Sequence, residues 1–317
     1  MTNLMTASNL WATMPPDACY WGLSDMLEAA RRVRASSHEA DYAASAIAIE
    51  SLGTEVAVKT PKGAALPLTY HAFGQVASLS HAPASYLRTL SPQTAALALA
   101  ESWRERGNAE VSILGYQREG RWTARALNGE HYARLYTASL LEMIQERARG
   151  MVTPPAWVGA GWTGPTRKAT AADVGDFTRV KEGDTIRPAG AYYSPETGRD
   201  TFLLLVHPER QIGLPSGGTG FRFVMLHNSE VGAASVGLTA GIVDIVCGNH
   251  ILWNARELRS IRLRHVGEVS TRTEREISGA FGALDAAPWE TEVLQGSARK
   301  LMGDDVEEAV GRVATLT

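Results

Sequence analysis

Residues 228–265 read NSEVGAASVGLTAGIVDIVCGNHILWNARELRSIRLRH. Small residues at Gly232, Ala233, Ala234, Ser235 and Gly237 leave room for a second backbone to come close. Val236, Leu238, Ile242, Val243, Ile245 and Val246 supply apolar surface for burial. The run turns at Cys247-Gly-Asn-His250 and enters a segment carrying Arg256, Arg259, Arg262 and Arg264, so a tightly packed element leads into a basic one. Alternation over 261–266 predicts a strand with Arg262, Arg264 and Val266 on one face and Ile261, Leu263 and His265 on the other.

Working outward, 221–227, 201–207 and 186–194 have strand character, and GLPSGGTG at 213–220 reads as a flexible connector. From Thr271 onward, Ile277, Phe281 and Leu284 share one helical face until Pro288 interrupts. Towards the N-terminus, 110–116 and 122–127 flank a turn at 118–120, and a helix is predicted over 137–148. Pro83 and Ser91-Pro92 suit helix starts, 70–79 has helical spacing, 46–50 and 55–60 read as paired strands, and 24–34 reads as a short helix. Residues 150–184, rich in Gly and Pro, read as a loop excursion. The pattern predicts an α+β fold: an antiparallel meander sheet packed by helices, with a helical C-terminal appendage. The divisions are a leader with a short helix (1–45), a core domain (46–268) and the appendage (269–317).

A chain of 317 residues, 44% hydrophobic, has material for a large core, since about 75% of the unfolded surface is buried at this size. A net charge of -3 argues against coating nucleic acid through bulk positive charge, while a local basic patch stays open. Two cysteines, Cys19 and Cys247, make no disulfide framework and no Cys-x-x-Cys pair. The first residues lack a signal-peptide pattern and no run approaches the roughly 18 apolar residues of a membrane span, so a cytoplasmic protein without membrane contact is expected.

Gly159-x-Gly161-x-x-Gly164 fits a dinucleotide fingerprint in spacing, but prolines on both sides replace the strand and helix it needs. Ser235 misses a nucleophile elbow by one position, and Cys247 with His250 has no second ligand pair. No catalytic residue, metal site or cofactor is expected. Two other sets suit a polynucleotide. Trp122, Arg125, His131, Tyr132, Arg134 and Tyr136 mix flat rings with cations, and Arg256, Arg259, Arg262 and Arg264 form the second set.

Several segments in order give a resemblance: YHAFGQVASLSHAPASYLRTL (70–90), ALNGEHYARLY (126–136), YYSPETGRDTFLLLVHPERQI (192–212) and 221–265. Together they resemble the phage and plasmid-like proteins grouped as domain of unknown function 932, over most of 66–266. The resemblance implies mobile-element biology. The order hairpin, Gly-Glu-His turn, helix, long meander, helix is also similar to the core of single-strand annealing proteins of the Rad fifty-two type. That likeness implies a non-enzymatic, cofactor-free protein that binds and anneals single-stranded DNA as a homo-oligomeric ring or filament. Arg125, Arg134, Arg256, Arg259, Arg262 and Arg264 would contact phosphate, and Trp122, Tyr132 and Tyr136 would stack on bases. The alternative is a phage or plasmid factor that captures a host protein through Trp157, Trp162 and Phe177 of the 150–184 excursion.

Overall fold

The computed structural model describes residues 15–118, 120–159, 161–175, 178, 180–196, 201–213, 219–243, 245–246, 252–253 and 256–285. In chain order the elements are β1 (Cys19–Tyr20), α1 (Leu23–Ala35), β2 (Ser37–Ala43), β3 (Ala48–Leu52), β4 (Glu55–Lys59), β5 (Ala65–Pro67), α2 (Tyr70–Leu79), α3 (Ala84–Leu87), α4 (Pro92–Trp103), β6 (Glu110–Arg118), β7 (Arg121–Gly129) and α5 (Thr137–Gln145). They continue as β8 (Pro155–Trp157), β9 (Arg167–Lys168), β10 (Thr185–Pro188), β11 (Ala191–Tyr193), β12 (Thr201–Gly213), β13 (Thr219–Asn228), β14 (Val236–Val243), β15 (Ile245–Val246), β16 (Leu252–Trp253), β17 (Arg256–Leu263) and α6 (Val269–Asp285). The class is α+β with antiparallel sheets, as the pattern predicts.

Local chemistry explains the helices. Thr69 caps α2 by accepting from the Ala72 N–H, and Ser91 caps α4 by accepting from Thr94, with Pro92 at the first helical position. In α1, Asp25 lies in the first turn and Arg32 and Arg34 in the last, each favoured by the helix dipole. On α4 the stripe Ala95, Ala96, Leu99 and Trp103 packs with Ile49 and Val58 of β3 and β4, and the Trp103 indole donates to the Ala44 carbonyl at 2.9 Å.

The largest sheet runs β1-β11-β12-β13-β14-β17. One face, through Leu203, Leu205, Val224, Leu226, Leu238 and Ala240, packs against α1, α5 and α6. On the other face Phe202, Leu204, Val206, Phe221, Phe223 and Met225 are also buried. Burial on both sides is why 202–206 and 221–226 read as apolar runs with little alternation.

Three assignments change. Residues 37–43 form β2, which pairs with β6, and α1 packs on α5 and β11, so the described part of the 1–45 leader belongs to the core. The described part of the expected appendage, α6, packs on β14, β17 and α5. Over 261–266 the strand ends at Leu263; Ile261 and Leu263 share the face opposite Arg262 as expected and pack with the helices, and Arg264 lies past the strand.

The excursion is not a plain loop. It contributes β8 and β9 to a small sheet, β8-β10-β9, with a core of Ala169, Val180 and Ile186 against half-buried Trp21 and Trp157. Trp162 is half-buried with the Arg187 guanidinium 4.3 Å above its ring. Both tryptophans therefore fold inward instead of presenting anchors, and Phe177 lies outside the described residues. A Cβ at Gly164 would come within 2.3 Å of Pro16, so close packing accounts for the last glycine of the fingerprint-like run. The Cys247–His250 corner, 214–218 of the Gly-rich connector, and everything from 286 onward also lie outside the described residues.

Asp173 holds this small unit together. It accepts from Arg167 Nη1 and Nη2 at 2.6 and 2.5 Å and from the Thr170 N–H at 2.9 Å. The Arg167 bond leads in holding its carboxyl down at about 2, below the ordinary 3.8. A depressed folded value means the bond stabilises fully above pH 3.8 and loses that effect as pH falls through about 2. Asp173→Asn is therefore expected to unfold more easily than the parent at neutral pH, with the two acid-unfolding curves converging below that range. Equal stability at pH 7 would refute the assignment.

Candidate functional site

The turn after β13 is where the large sheet meets the β2-β6-β7 sheet and α5. Asn228, Ser229 and Glu230 are all within 2% of complete burial, which is unusual for polar side chains and calls for partners. The partners come from the β6–β7 hairpin, from 132–137 and from β11.

Arg125 reaches Glu230 because of a β-bulge. Leu114 faces Ala126 and Gly115 faces Ala124, so Arg125 is the extra residue on β7, and the strand bends to aim it inward. Its side chain is 1% exposed; Nη1 donates to Glu230 Oε2 at 2.5 Å and Nε to the Pro195 carbonyl at 2.6 Å. The other carboxylate oxygen of Glu230 accepts from the Thr137 N–H at 2.7 Å. Tyr136, which precedes α5, supplies no side-chain cap, so Glu230 satisfies that N–H from across the chain and places negative charge at the positive helix end. The Val231 carbonyl accepts from Gln75 Nε2 at 2.7 Å, and Gln75 Oε1 in turn accepts from the Leu127 N–H at 2.9 Å.

A second carboxylate, Glu39 on β2, accepts from Arg134 Nε (2.9 Å), the Tyr136 hydroxyl (2.8 Å) and the Ser112 hydroxyl (3.0 Å). Burial works to raise the Glu39 carboxyl, but the Arg134 charge and these bonds outweigh it and leave it below its usual value. Tyr136 is pushed up to about 12, first by burial and then by its bond to Glu39. Arg134 also donates to the Glu230 carbonyl and, at 3.0 Å, to Asn128 Oδ1. These contacts make a strut between β2, the hairpin, α5 and the large sheet; they do not make an open site.

That arrangement overturns several predicted contacts. Arg125 and the Arg134 side chain, 1% and 2% exposed, have no path to a phosphate. Arg259 turns towards α6 and donates to Glu276 Oε2 at 2.5 Å. Tyr132 has His265 stacked 5.1 Å away, Gly232 against its ring and Arg134 nearby, and Tyr136 carries Arg34 at 3.4 Å over its ring, so neither offers a free face for a base. Trp122, 38% exposed, sits apart in a groove of about 180 Å³ with His38, Tyr42 and Lys62. The backbone of Arg256 pairs with Ile242, and its side chain lies outside the described residues. Arg262 and Arg264 are exposed as expected.

Around the end of β17 a group of arginines remains, with Arg262 on the sheet face away from α6. Arg262 Nε donates to the Ser235 hydroxyl at 2.7 Å, Arg272 donates to the carbonyls of Arg264 and Val266, and Arg275 follows one turn later on α6 with 75% of its side chain exposed. Among the described residues no carboxylate pairs with Arg262, Arg264 or Arg272. Sequence reasoning passed over Arg272 and Arg275 because helix arginines on a solvent face carry no distinguishing pattern. It also passed over Glu230, for which the only signal was an acid inside a turn of small residues, and Glu39, which sits in a strand without clean alternation.

Among the described residues no three His, Cys, Asp or Glu side chains gather as metal ligands, and no helix is long and apolar enough to cross a membrane. Comparison with family models, with curated proteins and with solved structures finds no match to this chain.

Proposed function

We propose that the chain binds single-stranded DNA through phosphate contacts and acts in a homo-oligomer as an annealing protein of a phage, plasmid or other mobile element. The observation that carries this reading is a set of arginines around the end of edge strand β17: Arg262 on the sheet face away from α6, Arg264 just past the strand, and Arg272 and Arg275 on α6, with Arg272 bonded to the Arg264 carbonyl. Three guanidinium groups there lack a carboxylate partner among the described residues, which leaves their charge available to a polyanion. The ordered resemblance to the domain of unknown function 932 proteins supports the setting. Annealing needs no cofactor, since the protein holds the strand and base pairing supplies the selectivity. Arginines on an edge strand oppose edge-to-edge pairing, so self-association is assigned to another surface.

Oligonucleotide affinity measured against salt tests the reading. The log-log plot is expected to fall with a slope of about -0.7 per phosphate contact. Arg262→Gln with Arg264→Gln should shallow that slope by about 0.7 for each contact removed while leaving the melting curve in place. A slope near zero in the parent protein, or an unchanged slope in the double variant, would discard the proposal.

A further inference from the structure

A second basic site lies at the other end of the α5–α6 layer, and it does not depend on strand binding. His207 on β12 faces Arg222 across β13, and the register then slips before Gln211, so a bulge carries Arg210 out of the strand. Beyond α5, Arg147 and Arg149 come to the same place because Val152 pairs with Val206 through two backbone bonds of 2.8 Å. Gly150, at φ 76, turns the chain there; a Cβ on it would sit 3.0 Å from His207 Nε2. Together with Asp285 at the end of α6, these side chains line a cavity of about 190 Å³.

We infer that this cavity binds a phosphoryl group, either the terminal phosphate of a nucleic acid strand or that of a small phosphate ester. Four guanidinium groups line it against one carboxylate, Asp285, which accepts from Arg210 at 2.5 Å. Arg147 is turned partly away, donating to the Met143 carbonyl at 3.3 Å and to Glu146 Oε2 at 3.4 Å, so the positive charge of the cavity comes from Arg149, Arg210 and Arg222 against Asp285. Charge alone would also suit the negative ends of two helices. The feature that points to a ligand is His207: it is 8% exposed, lines the cavity, and its Nδ1 is buried with no hydrogen-bond partner among the described residues. A buried polar atom of this kind is costly unless something bonds to it, and a phosphate oxygen among arginines meets that need. Burial first, then Arg210 and Arg222, hold the imidazole below its ordinary value, against the opposing charges of Glu209 and Asp285. A bound dianion reverses the sign of the local field, so the imidazole should titrate higher when phosphate is present.

The test is an NMR titration of the isotope-labelled full chain with inorganic phosphate at constant ionic strength, following the His207 ring. A saturable shift with a rise in its titration midpoint is expected, and the exposed-site variants Arg149→Gln and Arg210→Gln should each weaken it about tenfold without changing the melting curve. No saturable response to phosphate, or a response in both variants as strong as the parent's, would overturn the site. Glycerol phosphate and a pair of oligonucleotides with and without a 5′-phosphate then separate the sources. Tighter binding of the phosphorylated oligonucleotide assigns strand ends, while binding of glycerol phosphate with no difference between the oligonucleotides assigns a free ester. The site stands or falls on inorganic phosphate, whereas the β17 and α6 arginines are tested by an unphosphorylated strand, so either can fail alone.

Discussion

Arg125→Ala is expected to lower stability by about 3–5 kcal/mol, because removing one partner of a buried pair leaves the other charge uncompensated. Glu230 would keep its Thr137 and Tyr193 bonds but lose the cation that balances it at 2.5 Å, and the Pro195 carbonyl would lose its donor. Urea unfolding at pH 7 reads the loss directly. Replacing both ends with apolar groups of similar size, Arg125→Met with Glu230→Leu, should cost less than the sum of the single changes, since neither charge is then stranded. Part of the cost persists in the double variant because the Thr137 N–H at the start of α5 loses its acceptor. A phosphate-binding role makes the opposite forecast: weaker DNA binding with an unchanged melting curve. A destabilisation of Arg125→Ala under about 0.5 kcal/mol, the range of ordinary surface changes, would sink the strut.

How far the fold was legible follows from where local chemistry suffices. The hairpin, α2, α4, α5 and α6 are visible because their apolar spacing lies within a few residues, and α2 and α4 add local caps, as with Thr69 and Ala72 or Ser91 and Thr94. Strand β2 was hidden because SHEADYA has no clean alternation; its pairing with β6 is supported by Glu39, whose partners Ser112, Arg134 and Tyr136 are some 70 to 100 residues away. The site was less legible than the fold for the same reason. An arginine on a strand reads as solvent-facing, and only the one-residue slip between Leu114 and Gly115 turns Arg125 inward. Periodicity carries no mark of that slip. Arg262 kept its expected exposure because β17 is the last strand of its sheet and no such slip falls between Arg259 and Leu263.

Gly237→Ala carries the second large effect, and it corrects what the small residues of 232–237 are for. A second backbone does not close over Gly237; the cross-strand His227 ring does. A Cβ on Gly237 would lie 1.9 Å from His227 Cε1 and 2.3 Å from Nε2, far inside contact distance, in the middle of a sheet whose neighbours Val236 and Leu238 are buried. The expected destabilisation is about 3 kcal/mol or more, at the upper end for overpacking, because ring and strand must both move. Adding His227→Ala to Gly237→Ala should restore stability relative to Gly237→Ala alone, a favourable coupling of about 1–3 kcal/mol in a double-mutant cycle. The cycle also has a pH signature. Burial, with Arg262 next, holds the His227 imidazole below 6.5. A lowered folded value means the stability it supports is full above that pH and declines as pH falls, so His227→Ala variants should lose less stability between neutral and mildly acid conditions than their His227 counterparts. Additive single and double changes would show that the ring and the glycine do not meet, and the register of β13 against β14 would then have to differ from the one that pairs His227 with Gly237.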